Sequence, residues 1–364
     1  MSKINVSIRP FNLKLKFPFG ISRGTITYAK NVLVKLSFGD LVAFGEAAPS
    51  IYYGEDQGTV SNFLKMFLEH RSLEDYLANI NFLKDDLNQF EKMVYRGSSA
   101  SARAALEIAF WDLMGKVNKK SIHEFFFQDD PFLINGSTKS SFPKTSYTIG
   151  LDNLLVVETK VKEAINKGFK ILKVKLGTGY ENDLIILKTI KNLTKNIDCI
   201  LRVDANGGWD LDTTKKMLNI LPEYKVEVLE QPLPKGNILA LSELLNESSI
   251  PIIVDEDCLI SSDVEKLIGK VHGVNIKLMK CGSLLEAFNM INLAKAYNLK
   301  VMFGCMIESS CAISAAVHLS PLVDYVDLDG HLLLEKDPFV GLTCENSQII
   351  PSWEDGLGVT FSDL

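Results

Sequence analysis

Three acidic residues each close a short apolar run: Asp204 follows Leu201-Arg202-Val203, Glu230 follows Val226-Glu227-Val228-Leu229, and Asp255 follows Ile252-Ile253-Val254. Such runs read as β-strands, and the intervals between them are each about one βα unit. A βα barrel carries its reactive residues where strands end, so consecutive strands would aim these carboxylates at one point. Carboxylates at close quarters raise one another's pKa unless a cation lies among them. Oxygen-only ligands favour a hard divalent ion, and Mg²⁺ keeps coordination positions for water or substrate oxygens. A single acid after a strand is more often a helix N-cap or a turn residue; three in successive units outweigh that reading.

The run Ile171-Leu172-Lys173-Val174-Lys175-Leu176 adds a second kind of group. The period of two in a strand sends Lys173 and Lys175 to the same face. Asn275-Ile276-Lys277-Leu278 repeats the situation further along the chain. These runs are the second and sixth in order, on opposite sides of an eight-stranded ring, so Lys175 and Lys277 could flank a substrate. Desolvation and neighbouring positive charge let a lysine act as a base near neutral pH. The matching chemistry is removal of the weakly acidic proton beside a carboxylate, because a divalent ion stabilises the enediolate that results. Either lysine alone would read as a strand-end side chain snorkelling to solvent.

Positioning such groups takes a large fold. The 364 residues exceed one ordinary core and fit a barrel domain of about 250 residues with a smaller companion. The N-terminal part is α+β, with strand-like alternation at Ile4–Leu15, Asn31–Phe38 and Leu41–Ala47 and helical spacing at Phe82–Tyr95 and Ser99–Val117. From Thr145 onward, apolar runs alternate with amphipathic helices. The expected strands are Thr145–Ile149, Ile171–Leu176, Ile200–Asp204, Val226–Glu230, Ile252–Asp255, Val274–Leu278, Lys300–Phe303 and Tyr325–Asp327. After Gly330 the rhythm stops, and the turn-rich tail is expected to pack back on the first domain. The fold class is therefore α/β, a (β/α)7β barrel with an N-terminal α+β capping domain. The expected bounds are 1–125 for the cap, joined by 336–364, and 126–335 for the barrel.

Composition excludes several alternatives. A hydrophobic share of 46%, a charged share of 23% and a net charge of −6 describe an ordinary globular chain without a broad footprint for nucleic acid. The six cysteines are scattered, lack zinc-ligand spacing and read as buried thiols. Residues 1–10 alternate like a strand and do not resemble a signal peptide, and no apolar stretch approaches the roughly 20 residues of a membrane helix. The expected setting is cytoplasmic, with no membrane and no nucleic acid partner.

Together these pieces resemble the enolase superfamily, specifically its muconate-lactonizing subgroup, in which two lysines work with Mg²⁺. The matching segments are Lys173-Val174-Lys175, Val203-Asp204-Ala205-Asn206, Glu230-Gln231-Pro232, Asp255-Glu256 and Asn275-Ile276-Lys277-Leu278-Met279-Lys280-Cys281-Gly282, and the resemblance spans nearly the whole chain. It implies Asp204, Glu230 and Asp255 as Mg²⁺ ligands, Lys175 and Lys277 as the acid and base, and Lys173 as a helper that contacts the substrate carboxylate. Ser283 departs from the pattern, standing where many relatives have a second glycine. The resemblance also implies a homo-oligomer.

The last expected strand ends Val326-Asp327-Leu328-Asp329-Gly330, with both aspartates on one face. This pattern resembles that of dipeptide epimerases, in which an acidic pair holds the free ammonium of a dipeptide; the same residues also read as a hairpin turn. In the cap, Ile21-Ser22-Arg23-Gly24 and Ile51-Tyr52-Tyr53-Gly54-Glu55 are the expected specificity loops. Arg23 suits a side-chain carboxylate, which points to Glu or Asp as the second residue and to L-Ala-D/L-Glu epimerisation in peptidoglycan peptide metabolism. Its plainer role is an ion pair with a surface acid of the cap. Tyr53, Thr148, Met306 and Glu308 join Lys173, Asp327, Asp329 and Arg23 as expected substrate-binding residues. Two other readings share the chemistry or the fold: an N-acylamino acid racemase or o-succinylbenzoate synthase, and an inactive binding relative.

Overall fold

The computed structural model describes residues 3–69, 71–95, 97–127 and 142–362. The expected start of the barrel domain at 126 adjoins residues 128–141, which lie outside the described residues.

An antiparallel sheet of β1 (Asn5–Ile21), β2 (Gly24–Phe38) and β3 (Leu41–Ala47) opens the chain. β1 and β2 form one long hairpin whose tip is Ser22-Arg23, with Ile21 paired to Gly24. Both strands run beyond the expected segments because the tip from Gly24 to Tyr28 is exposed, and no buried face marks it in the sequence. The helices α1 (Gln57–Leu68), α2 (Glu74–Ala78), α3 (Ile80–Phe90), α4 (Ala100–Asn118) and α5 (Ile122–Phe126) complete the α+β cap. α4 is buried along most of its length and lies directly on the sheet. A Cβ at Gly45 would stand 2.8 Å from the Ala109 nitrogen, so only glycine lets the strand and helix backbones approach.

The barrel follows as β4 (Tyr147–Ile149), α6 (Leu154–Asn166), β5 (Ile171–Lys175), α7 (Tyr180–Thr194), β6 (Ile200–Asp204), α8 (Leu211–Ile220), β7 (Val226–Glu230), α9 (Ile238–Leu244), β8 (Ile252–Val254), α10 (Ser261–Leu267) and β9 (Gly273–Lys277). It ends with the short turn α11 (Leu278–Cys281), α12 (Leu284–Ala296), β10 (Lys300–Gly304), α13 (Ser310–Val317) and β11 (Tyr325–Asp327). β4 to β11 pair in chain order as an eight-stranded parallel sheet.

The ring closes between its first and last strands through a seam with little backbone pairing. Thr145 and Val326 form an isolated parallel bridge, and Ser146 N donates to Val326 O at 3.3 Å. Side chains do the rest: Leu328 N donates to Thr145 Oγ1, Ser146 Oγ to Asp327 Oδ1, and Thr148 N and Oγ1 to Asp329.

The tail folds as β12 (Phe339–Val340), β13 (Thr343–Glu345), β14 (Gln348–Ile350) and β15 (Thr360–Phe361). β12 pairs with β15, and their Phe339 and Phe361 rings pack on Phe44 of β3. Four cysteines are buried, but Cys305 and Cys344 are half-buried, which corrects the expectation that all six are enclosed; all are free thiols. Ser283 accepts a hydrogen bond from Glu286 N and so caps α12, a local task for the residue that replaces glycine.

Candidate active site

Strand register places the reactive groups at one level. Lys175 pairs with Asp204, and Asp204 with Glu230, so neighbouring strands end together in a lysine and two acids. Asp255 follows β8, and Asn275 and Lys277 lie on β9. Lys173, Lys175, Asp204, Glu230, Asp255 and Lys277 are all buried. β10 makes room for them through Gly304, where a Cβ would stand 2.7 Å from Asn275 Oδ1 and 3.0 Å from Lys277 Cε.

Each acid meets an ammonium. Lys175 Nζ donates to Asp204 Oδ2 at 2.6 Å, and Lys277 Nζ to Asp255 Oδ2 at 2.8 Å. Lys173 Nζ lies 3.2 Å from Asp204, 2.7 Å from Glu230 and 2.7 Å from Asp327. Lys280 is the fourth lysine here, 2.6 Å from Asp255 Oδ1, and it donates to the carbonyls of Asp255, Cys258 and Asn275. Asn275 Nδ2 donates to Glu230 Oε1 at 2.8 Å.

The electrostatics follow from these contacts. Burial alone would raise Asp204 and Asp255, but Lys175 and Lys173 outweigh it at the first, and Lys277 and Lys280 at the second, holding both carboxyls well below the usual range. Glu230 is pushed up to about 7 by burial and by the Asp204 charge, with Lys173 pulling the other way. Burial would lower Lys173 and Lys277; Asp327 and Glu230 raise the first and Asp255 raises the second, so both stay above the ordinary lysine value.

The donor set suits a hard divalent cation, since the acids offer only oxygen. Glu230 Oε2 and Asp255 Oδ1 are buried and accept no hydrogen bond, although Lys173 and Lys280 stand 2.7 and 2.6 Å away at unfavourable angles. Among the described residues no three His, Cys, Asp or Glu side chains close on one point, and lysine ammonium groups pair with Asp204 and Asp255.

The seam brings the last two acids to the same end of the barrel. Asp327 accepts from Ser146 Oγ at 2.6 Å and from Lys173 Nζ at 2.7 Å. Asp329 accepts from Thr148 N at 2.5 Å and Thr148 Oγ1 at 3.0 Å, so its partners are neutral. Burial and then the Asp327 charge push Asp329 up to about 7, whereas Lys173 outweighs burial at Asp327 and lowers it.

The hairpin tip of the cap reaches this end. Arg23 pairs with Glu256 Oε1 at 2.8 Å, donates to Asn206 O at 3.0 Å, and lies 4.3 Å over the Tyr52 ring. Its partner is thus a buried barrel acid next to Asp255, not a surface acid of the cap. Tyr53 is half-buried against Tyr52, and burial with the charges of Asp255 and Glu256 raises its hydroxyl. Glu308 Oε1 accepts from Met306 N at 2.7 Å, and burial pushes Glu308 up to about 8. Sequence reasoning did not single out Ser146, Glu256 or Lys280. Ser146 had a signal, since the period of two puts it on the same face as Thr148; Lys280 is aimed by the turn α11, which no strand pattern reveals.

Acids, ammonium groups and a second acidic pair at one end of a barrel can hold a cation, grip a carboxylate and move a proton to or from either side of a bound carbon. Comparison with known proteins agrees on the architecture. Residues 156–363 match the family described as enolase C-terminal domain-like, and residues 3–126 match the mandelate racemase/muconate lactonizing enzyme N-terminal domain. The chain is 36% identical to the L-Ala-D/L-Glu epimerase of Bacteroides thetaiotaomicron over 98% of this chain and 88% of that protein. It is 34% identical to a hydrophobic dipeptide epimerase of Roseobacter litoralis over 96% of this chain and 97% of the other. Among solved structures, the dipeptide epimerase of Enterococcus faecalis complexed with Mg and L-Leu-L-Tyr superposes with a TM-score of 0.87 at 29% identity, covering 99% of each chain.

Proposed function

The chain belongs to the enolase superfamily, in its mandelate racemase and muconate lactonizing enzyme group, and from that membership we propose that it inverts the α-carbon of the C-terminal residue of a dipeptide. It is an enzyme of the isomerase class and takes Mg²⁺ as its cofactor. Asp204, Glu230 and Asp255 are the residues that would hold the ion. When bound, Mg²⁺ supplies the positive charge that offsets the second negative charge of a carboxylate losing its α-proton.

The chain's own residues divide the remaining work. Lys173 faces the substrate carboxylate and shares Asp204 with Lys175. Lys175 and Lys277 stand on β5 and β9 and act on opposite faces of the α-carbon, one taking a proton while the other returns one. The acidic end formed by Asp327 and Asp329 receives the dipeptide's ammonium. A substrate held at both ends has its reacting carbon fixed between the lysines, which turns proton transfer into an intramolecular step. The observation that carries this reading is the placement of Asp327 and Asp329 at the same end of the barrel as the metal-type acids, with Lys173 touching both sets.

The finer assignment is L-Ala-D/L-Glu. It rests on Arg23, whose side chain keeps 34% exposure while paired with Glu256, and whose guanidinium suits bidentate pairing with a carboxylate. The 36% identity to the Bacteroides L-Ala-D/L-Glu epimerase supports it. The test is NMR of the protein with Mg²⁺ and L-Ala-L-Glu in deuterated water. Loss of the Glu α-proton signal with growth of the other diastereomer, abolished by chelator, is the expected result. No exchange across a dipeptide panel, with N-succinyl amino acids turning over instead, overturns it.

A further inference from the structure

Two lysines face Asp255, and they are themselves held in opposite ways. Lys277 Nζ donates to Oδ2 at 2.8 Å, and among the described residues that oxygen is its one hydrogen-bond acceptor. Lys280 Nζ stands 2.6 Å from the other oxygen, Oδ1, at an angle too poor for a hydrogen bond. Its N–H groups go instead to Asp255 O at 2.6 Å and to Cys258 O and Asn275 O at 2.9 Å each. An ammonium has three donors and no acceptor, so three carbonyls occupy it fully. Lys280 is fixed where it stands, whereas Lys277 hangs on one bond.

The fold accounts for the difference. Lys280 lies on the one-turn helix α11, directly after β9, and Gly282 ends that turn in the left-handed region at φ 78. A Cβ at Gly282 would stand 2.7 Å from Arg103 Cζ, so the cap helix α4 packs against the same turn. From there the Lys280 side chain, with no exposure at all, ties the chain that follows β8 to Asn275 of β9. β7 pins the other side of the same strand end, because Asp255 N and Glu256 N donate to Gln231 Oε1 at 2.9 and 3.1 Å. Asp255 is thus held by its N–H and its C=O, with a fixed positive charge beside one carboxylate oxygen.

A carboxylate that is 2% exposed needs a cation beside it throughout. Lys277 is the lysine assigned to the proton, so it has to leave Asp255 to reach a substrate and cannot be the standing partner. We propose that Lys280 is a positioning residue and the permanent counter-charge of Asp255: it fixes the strand end through the carbonyls and balances Oδ1, and Oδ2 is the oxygen free to change partners. This rests on the assignment of Asp255 to the divalent ion above. Charge alone would make the two lysines equivalent, since removing either ammonium relieves repulsion of an incoming cation. Position makes them opposite: without Lys280 the carboxylate loses its setting, and without Lys277 it loses only a competitor.

The experiment is calorimetric titration of the full-length wild type, Lys280→Met, Lys277→Met and Asp255→Asn with Mg²⁺ alone. Lys280→Met is expected to bind about 10-fold more weakly, the scale on which outer partners tune a metal site. Lys277→Met is expected to bind as tightly as wild type or more tightly. Asp255→Asn is expected to lose binding, which shows that the titration reads this site. In the NMR assay, excess Mg²⁺ brings Lys280→Met back to within a few-fold of the wild-type kcat and leaves Lys277→Met inactive. The proposal is overturned if Lys280→Met binds Mg²⁺ as well as wild type or better, if Lys277→Met loses as much affinity as Lys280→Met, or if excess Mg²⁺ fails to restore Lys280→Met. Should Lys280→Met not fold, Lys277→Met decides: full affinity supports a second partner that holds Asp255 without it, and a loss of the size expected for Lys280→Met overturns it. An Asp255→Asn protein that binds Mg²⁺ like wild type sinks the metal assignment and the proposal with it. A wild type that binds Mg²⁺ but epimerises no dipeptide sinks the dipeptide reading alone, and the calorimetric arms still decide the role of Lys280.

Discussion

The barrel mouth and the joint between cap and barrel both bury carboxylates, and they solve the cost of doing so in opposite ways. At the mouth, Asp204, Asp255 and Asp327 each meet a lysine ammonium and stay ionised. At the joint, Glu46 of β3 accepts from Ser309 N, Ser309 Oγ and Asn31 Nδ2, and Asp337 accepts from Ser310 N and Oγ. No ammonium contacts either acid among these partners, so burial pushes Glu46 up to about 7 and raises Asp337. Neutral donors satisfy the oxygens but do not cancel the charge. The mouth therefore keeps its three lysine-paired aspartates charged, although Glu230 and Asp329 there are pushed up to about 7 as Glu46 is, and the joint holds two parts of the chain together by hydrogen bonds at the N-terminus of α13.

The sharpest way to break this comparison is to remove a cation from the mouth. Lys277→Ala takes away one of the two lysines proposed to move the proton and leaves Asp255 with Lys280 as its ammonium partner, and a loss of about 10²–10⁴-fold in turnover is expected from an NMR epimerisation assay. A variant within a few-fold of wild type would mean that the charges of the mouth are structural.

A smaller effect separates the regions by pH. Glu46 holds its proton in the folded state up to about 7 but releases it near the ordinary value of 4.5 when unfolded. The folded state then binds more protons across that window, so this stabilisation is present at low pH and is lost as pH rises through 7. The facing acids Asp337 and Glu308 add their charge in the same direction. Urea denaturation midpoints are expected to fall from pH 5 to pH 8, with a flatter profile in Glu46→Gln. An equal slope in both proteins would remove Glu46 from the account.

The smallest effect belongs to a pair in neither region. Lys225 and Asp198 are 3.1 Å apart but are 64% and 84% exposed. Lys225→Ala is expected to change stability by less than about 0.5 kcal/mol in the same denaturation assay. A larger loss would show that even solvated pairs matter in this fold.

Much of the barrel was legible because its strands are short apolar runs that stop at a charged residue. β6, β7 and β11 run over the expected residues, and β5 departs only at Leu176. The helix α9 was not read, since only Leu241 and Leu244 are buried on it and Leu239 is exposed, too few points to set a period. The acids and lysines could be placed by strand period, whereas their pairing could not. Arg23 finds Glu256 across 233 positions of sequence only because a hairpin tip folds down on the barrel, and no local pattern carries that contact.

The seam has a consequence for how the molecule comes into being. Leu328 meets Thr145 across 183 residues, and the other stitches join the same two stretches of chain. Contacts this distant form late, because the intervening chain must be ordered first. On the ribosome the chain emerges from its N-terminus, so the ring stays open until β11 has been made. Asp327 arrives with that strand and Asp329 just after it, so an unfinished chain can carry the lysines and the first three acids without yet having the acidic pair proposed to receive the substrate's ammonium.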